Sequence, residues 1–218
     1  LHIMSIQESN TISEFTIDNI FEENLKEQAK YLIDNFKNAK EIGSLLILED
    51  KNYSGLIKNI NDDITIFGIE LREKLLPIIK VSKILSKKYN IAVTNPPYAI
   101  KAKLEMKLRN FLDKNYKCFS NDLFTAFIKR MGIFLIRDDS YYSMITPHSW
   151  MTLGDLDDIR NDLLENHTII SMAHMGVGAF GTDFGTTAFV ISSEKKNDFN
   201  SIFIELSPYK ASEDKRIN

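Results

Sequence analysis

Cys118 is the only cysteine in the chain. It can form no internal disulfide and has no companion for a zinc knuckle or a redox pair, which excludes thiolate metal chemistry and points to a reducing cytoplasm. No run of about 18 apolar residues is present, and the first thirty residues lack the basic-then-apolar order of a secretory signal, so neither membrane insertion nor export is expected. An excess of basic charge is missing too. The 27 Lys and Arg against 30 Asp and Glu leave a net charge of -3 and a pI near 5.9, unlike the global basic footprint of many nucleic-acid binders. There is no repeat period, and no linker-like composition forces a domain boundary. What remains is ordinary globular material: 218 residues, 44% apolar and 26% charged, enough to bury a core without staples. The numbering opens at Leu1 and not at methionine, which suggests a piece of something longer.

The charge is uneven along the chain. Between residues 99 and 117 stand Lys101, Lys103, Lys107, Arg109, Lys114 and Lys117 against only Glu105 and Asp113. A solvated helix face is the plain reading of such a run; a phosphate-facing surface is the other.

Residues 2–6 alternate well enough for a short strand that ends in a polar cluster. Over residues 13–88 the apolar positions recur at helical spacing, as in Ile17, Ile20, Phe21 and Leu25, with Pro77 expected to start or kink a helix. The character changes at Tyr89. Residues 91–94 form a short buried-strand pattern stopped by Asn95-Pro96-Pro97, because neither proline can donate to a ladder. A helix follows, with Ser120-Asn121-Asp122 as its capping cluster and Leu123, Phe124, Phe127, Ile128 and Met131 as its inner stripe. Residues 141–146 read as a strand, 155–165 as an amphipathic helix, 168–173 and 186–192 as strands joined without a helix and so antiparallel, and 201–206 as one more. The fold class is α/β, with a sheet parallel in the middle and a late antiparallel strand.

Asn95-Pro96-Pro97-Tyr98 stands at a strand end, where open α/β sheets bind ligands. The two prolines keep carbonyl oxygens out of regular structure, the asparagine adds an acceptor, and the tyrosine adds a flat face. Together they suit a planar amine. An amino group donating to the Asn95 side-chain oxygen and the Pro96 carbonyl is pushed toward tetrahedral geometry with its lone pair outward. Orientation and electrostatic complementarity then suffice without a metal or an acid-base dyad. The plain alternative is a Pro-Pro turn with a surface tyrosine. Other motifs carry less. Gly176 to Gly181 fits G-x-G-x-x-G by letter, yet a strand follows and no dinucleotide unit can be built, so it reads as a loop. His148 and His174 lack a nucleophile and read as satisfied structural histidines, and Trp150 as core or pocket wall.

The ordered set resembles the N6-adenine DNA methyltransferases. The motif order is similar to that of their gamma class, of the large phage-defence enzymes of the PglX type and of fused restriction-modification enzymes. The match runs from Asn95-Pro96-Pro97-Tyr98 through the basic segment to Asn121-Asp122-Leu123-Phe124-Thr125-Ala126-Phe127, then Thr146-Pro147-His148-Ser149-Trp150, then Met172-Ala173-His174-Met175-Gly176 and Ala179-Phe180. The resemblance implies a Rossmann-like methyltransferase sheet with a helical insertion over 13–88 and the catalytic-motif half over 89–206. It implies S-adenosylmethionine as cofactor and double-stranded DNA as partner. By the same resemblance Asn95, Pro96, Pro97 and Tyr98 receive a base flipped from the duplex, and Phe180 edges its other face. Lys101 and Lys103 meet DNA, Phe127 packs on the cofactor adenine, and Glu8 ends a cofactor-contacting strand.

The family's glycine-rich turn and the acidic residue that bind most of the cofactor are absent, so the chain resembles the later part of a methyltransferase domain, partnered by the remainder of a parent polypeptide and inactive alone. Its 91–94 strand would then be left open, covered by the helical insertion, or paired with residues 2–6 or with a second copy of the chain. Methylation of a protein glutamine or an RNA base, and a non-catalytic nucleic-acid or subunit-binding module, stay open as alternatives. If the 101–117 run faces phosphates, neutralising two of its side chains should weaken DNA binding for all sequences and flatten the salt dependence by about 2 units of slope. Binding titrations across salt concentrations read that slope directly, and an unaltered slope returns the run to the solvated face.

Overall fold

The structure, a computed structural model, describes residues 3–135, 139–181 and 183–207, with Phe180 described by its backbone alone. The chain divides into two compact units, Leu1–Lys87 and Lys88–Asn218.

The first unit is helical: α1 (Glu14–Ile20), α2 (Glu23–Phe36), the single turn α3 (Ala39–Ile42), α4 (Ser54–Asp62) and α5 (Ile66–Ser86). Local chemistry starts two of them. The Ser13 side chain accepts from Phe15 N at the head of α1, and Thr65 accepts from Gly68 N at the head of α5, each satisfying a donor that the first turn leaves free. Pro77 does not start a helix but lies inside α5. Leu71, Leu75, Ile78, Ile79, Val81 and Leu85 are buried along that helix, and their packing outweighs the one backbone hydrogen bond that proline removes.

The strand expected over residues 2–6 is not there. His2 lies outside the described residues, and residues 3–6 form no ladder. Alternation provides no neighbouring strand to pair with. The segment is instead fastened to the end of α2, where Ser9 donates its amide to Phe36 O at 3.1 Å and its hydroxyl to Ile33 O. Both are carbonyls that a helix terminus leaves unpaired.

The second unit carries a five-stranded sheet: β1 (Ile91–Thr94), β2 (Tyr141–Pro147), β3 (Thr168–Val177), β4 (Gly185–Ser192) and β5 (Ile202–Glu205), in the spatial order β1-β2-β4-β3-β5. β1 runs parallel to β2 and β5 parallel to β3, while β4 is antiparallel to both β2 and β3. The late antiparallel strand thus occupies the centre of the described sheet. Between the strands lie α6 (Met106–Tyr116), α7 (Leu123–Phe134) and α8 (Asp157–Asn166). Alternate residues of β2, including Tyr142, Met144 and Thr146, are buried, as period-2 geometry requires. Tyr142 and Trp150 both meet Phe189 of β4 edge-on. Trp150 also donates to Thr146 Oγ1 at 3.0 Å, so it is a core residue with its one polar atom satisfied. Among the described residues β1 has no second neighbour, and Ile91 and Val93 remain 69% and 74% exposed.

In the first unit Gly68 sits against the C-cap of α4, where an added Cβ would come within 2.5 Å of Asp63 O and 2.7 Å of Asp63 Cβ. Intrinsic propensity favours alanine over glycine in a helix by about 1 kcal/mol. Here the backbone contact should prevail, and Gly68→Ala should lower unfolding stability by about 1–3 kcal/mol, the range for forced overpacking. Denaturant melts of the two proteins decide the sign.

Candidate amine-receptor site

The candidate receptor begins where β1 stops. Thr94 pairs with Met144, and the next four residues leave the sheet with Asn95 exposed, Pro96 buried, Pro97 exposed and Tyr98 half-buried. Tyr98 folds back across the turn. Its hydroxyl lies 2.7 Å from Asn95 Oδ1 and 3.0 Å from the carbonyl of Ile145 on β2. Burial pushes the phenol above its ordinary pKa, so the group stays protonated and donates. One proton thus faces two acceptors. While it points at Asn95 it orients the amide with the oxygen toward the site. When another donor arrives at Oδ1, it can turn to Ile145 and leave no hydroxyl unsatisfied.

A third group completes the wall. Phe184, just ahead of β4, meets the Tyr98 ring edge-on at 5.6 Å and 79°, a favoured geometry for aromatic pairs. The antiparallel course of β4 makes this contact available, because its leading end lies beside the trailing ends of β1 and β2.

The chain after Tyr98 is stitched to the head of α7. Asp122 Oδ1 accepts from Ala99 N and from Phe124 N, both at 3.2 Å, while Leu123 donates to Ala99 O at 3.0 Å and Lys101 N to Asn121 O at 3.1 Å. Asp122 is the N-cap and closes a capping box with Thr125. Burial holds its carboxyl above the ordinary range, opposed by hydrogen bonds from the Phe124, Ala99 and Leu123 amides. The Asn-Asp-Leu-Phe segment is therefore what fixes the outgoing limb of the receptor turn. Beside it opens a cleft of about 830 Å³ lined by Ile100, Lys101, Arg109, Asn121, Asp122 and Leu153 among others. The Nε of Arg109 is buried with no hydrogen-bond partner among the described residues.

Residues 3–180 match the Eco57I restriction-modification methylases. The chain belongs to that family. It is 31% identical over 198 residues, 85% of its length, to the adenine-specific methyltransferase PglX of Lacticaseibacillus casei (strain Zhang). It is 29% identical over 181 residues, 78% of its length, to the adenine-specific methyltransferase BrxX of Escherichia coli O9:H4 (strain HS). The chain spans 16% and 15% of the lengths of these two relatives. Among solved structures, the type I restriction-modification system methyltransferase subunit from Streptococcus thermophilus is 24% identical, with a TM-score of 0.43 over 56% of this chain and 27% of that one.

For this Eco57I-family chain the structure joins some of the expected site residues and separates others. Asn95 and Tyr98 are hydrogen-bonded, with Pro96 and Pro97 between them. Phe127 is half-buried on α7. Lys101 is tied to Asp113 and Ser120, so its charge is already matched, whereas Lys103 is exposed. Glu8 belongs to the helical unit, where its carboxylate accepts from Lys40 N at 3.2 Å. Phe180 lies in the 3-10 turn Ala179–Gly181, and its side chain falls outside the described residues. The sequence reading passed over Phe184, the Ile145 carbonyl and the second role of Asp122. Only the last left a signal, an aspartate ahead of an apolar helical stripe.

Removing the Asp122 carboxylate should show both of its roles. Asp122→Ala loses a helix cap and leaves the Ala99 amide without its acceptor, and the expected loss of stability is about 1–2 kcal/mol. Asp122→Asn, which keeps the accepting oxygen, should recover most of it in the same melts.

Proposed function

We propose that the protein is an S-adenosylmethionine-dependent DNA adenine-N6 methyltransferase of a restriction-modification or phage-defence system. It would act in the cytoplasm on an adenine flipped out of duplex DNA. The observation that carries this reading is the Asn95–Tyr98–Ile145 arrangement: the amide oxygen of an exposed asparagine, held in orientation by a hydroxyl that has a second acceptor in reach. An arriving amino group donates one N–H to Asn95 Oδ1 and the other to the Pro96 carbonyl. Its lone pair is thereby localised on nitrogen and aimed away from both acceptors, and the positive charge that grows on nitrogen faces two oxygens. Tyr98 and Phe184 offer aromatic surface to the base, whose stacking is worth about 1–3 kcal/mol.

When bound, the cofactor would supply an activated methyl group on a sulfonium centre, the sulfur keeping the bonding pair. The residues present fit it in part. The half-buried ring of Phe127 would hold the adenine of the cofactor, and Asn95 would aim the nucleophilic nitrogen at the methyl group, which leaves the nitrogen with one proton to lose. Glu8 ends no strand, its carboxylate accepts from Lys40 N within the helical unit, and no cofactor role is assigned to it. Arg109, in the cleft beside the turn, and the exposed Lys103 outside it are the side chains that would meet DNA phosphates, Lys101 being matched by Asp113. The exposed edge of β1 suits a further strand, from the rest of the polypeptide or from a second copy of the chain. Among the described residues no helix is long and apolar enough to cross a membrane.

The test is transfer of labelled methyl groups by the whole protein to duplex DNA, compared with RNA and with a glutamine-bearing translation factor. Labelling of DNA adenine is expected. Asn95→Ala should reduce turnover by orders of magnitude with little change in stability, because an exposed side chain contributes orientation and not packing. Tyr98→Phe should keep stacking and lose the hydroxyl clip, a smaller loss than Tyr98→Ala. Near-normal turnover in the Asn95 variant sinks the assignment.

A further inference from the structure

Glu205, His174 and His148 form a hydrogen-bonded chain that links β5, β3 and the turn after β2. Glu205 on β5 places Oε2 3.0 Å from His174 Nδ1 on β3. The Nε2 of His174 lies 2.7 Å from Nδ1 of His148, which follows β2 directly, and the two rings are 5.0 Å apart at 35°. Hydrogen bonds from Ser207 and His174 pull the Glu205 carboxyl down to about 2. It is therefore a carboxylate and can only accept. With both imidazoles neutral, His174 then carries its proton on Nδ1 and offers a lone pair at Nε2. His148 must donate its own Nδ1–H to that lone pair. One carboxylate thus fixes both tautomers and both ring orientations.

The inner end of this chain bears on the receptor wall. In the β2–β4 ladder Pro147 pairs with Thr186, so His148 stands opposite Gly185. A Cβ at Gly185 would come within 2.3 Å of His148 Cε1 and 2.4 Å of its Nδ1, which means that the imidazole rests directly on the glycine backbone. Gly185 is preceded by Phe184, whose ring meets Tyr98. We infer that Glu205, His174 and His148 are positioning residues that hold the Phe184–Gly185 segment against Tyr98, so that the target base meets a preset aromatic wall. The kinetic part of this inference rests on the reading of residues 95–98 as the amine receptor; the structural part does not. The residues act through Phe184 and are assigned no contact with the reacting atoms.

In methyl-transfer assays of the whole protein, His148→Ala should raise KM for the DNA target about ten-fold with kcat within about two-fold, the signature of lost binding and not of lost chemistry. His148→Asn, which keeps a donor near the Nδ1 position, should restore KM. Phe184→Ala should raise KM similarly, and the double variant His148→Ala/Phe184→Ala should be no worse than Phe184→Ala, because the two act in series. Additive effects, an equal fall in kcat, or no rescue by Asn would each overturn the relay. Asn95→Ala in the same assay separates the two readings. Turnover lost there with His148→Ala unaffected removes the relay alone, and turnover kept there removes the receptor. A second measurement needs no turnover. The ring-proton NMR shifts of selectively labelled Tyr98 should move in His148→Ala in the direction seen for Phe184→Ala, and should hold in His148→Asn. An unmoved Tyr98 in His148→Ala is the result that overturns the structural part.

Discussion

Asp122 ties together two parts of the second unit that are far apart in the chain. A helix beginning at Leu123 needs an acceptor for its first amides, and the chain leaving Tyr98 needs an acceptor for the Ala99 amide at a half-buried position. One carboxylate serves both. Burial works against its charge while three backbone amides work for it. The consequence is geometric. The head of α7 and the outgoing limb of the receptor turn cannot move independently, and the Asn95–Tyr98 segment is held from two sides, by β1 before it and by α7 after it. A tetrapeptide with two prolines has little backbone freedom of its own. Fixing both ends turns that stiffness into a defined placement of the Asn95 oxygen.

The elements that were legible in the sequence are those decided by local periodicity. β2, β4 and α7 follow their apolar patterns within a residue or two, because each buries one face against the same core around Tyr142, Phe189 and Trp150. Residues 3–6 show where that logic stops. Their composition suits a strand about as well as that of β1, but strand identity needs a partner, and Ser9 just beyond them engages the last carbonyls of α2 instead. Pro77 shows the converse, a local helix breaker overridden by the buried stripe around it. At the proposed receptor, Asn95 and Tyr98 stand out in the sequence because the chemistry of an amine site would call for those residue types at a strand end, and the structure hydrogen-bonds the two to each other. The Ile145 carbonyl was not, since a backbone acceptor leaves no mark in a sequence.

The histidines illustrate a different limit. Each looks unremarkable alone, and the reading of them as satisfied structural residues was reasonable. The group that organises them is Glu205, 31 residues beyond His174, on a strand whose four side chains are all exposed. Glu205 is the one charged residue of an otherwise apolar strand, yet nothing local says which ring it meets. Only the parallel pairing of β3 with β5, His174 opposite Glu205, brings the carboxylate to the ring. Sequence separation hid a contact that register makes unavoidable.

The central position of β4 is what draws these parts to one end of the sheet. β1, β2, β3 and β5 share a direction, so their C-terminal ends lie together and present Asn95, His148, His174 and Glu205 along one rim. A fifth strand in the same direction would have carried its N-terminus, and with it Phe184 and Gly185, to the opposite rim. Running antiparallel between β2 and β3, β4 instead delivers that pair to the rim where Tyr98 and His148 wait. The absence of a side chain at Gly185 then matters twice: it lets the His148 ring lie on the backbone, and it leaves Phe184 as the one bulky group in the segment that meets Tyr98. A sheet of five parallel strands with the same residues would hold an asparagine turn and a histidine pair with no aromatic wall between them. Inserting one reversed strand at the centre is thus the topological step that sets an aromatic wall beside the strand-end turn.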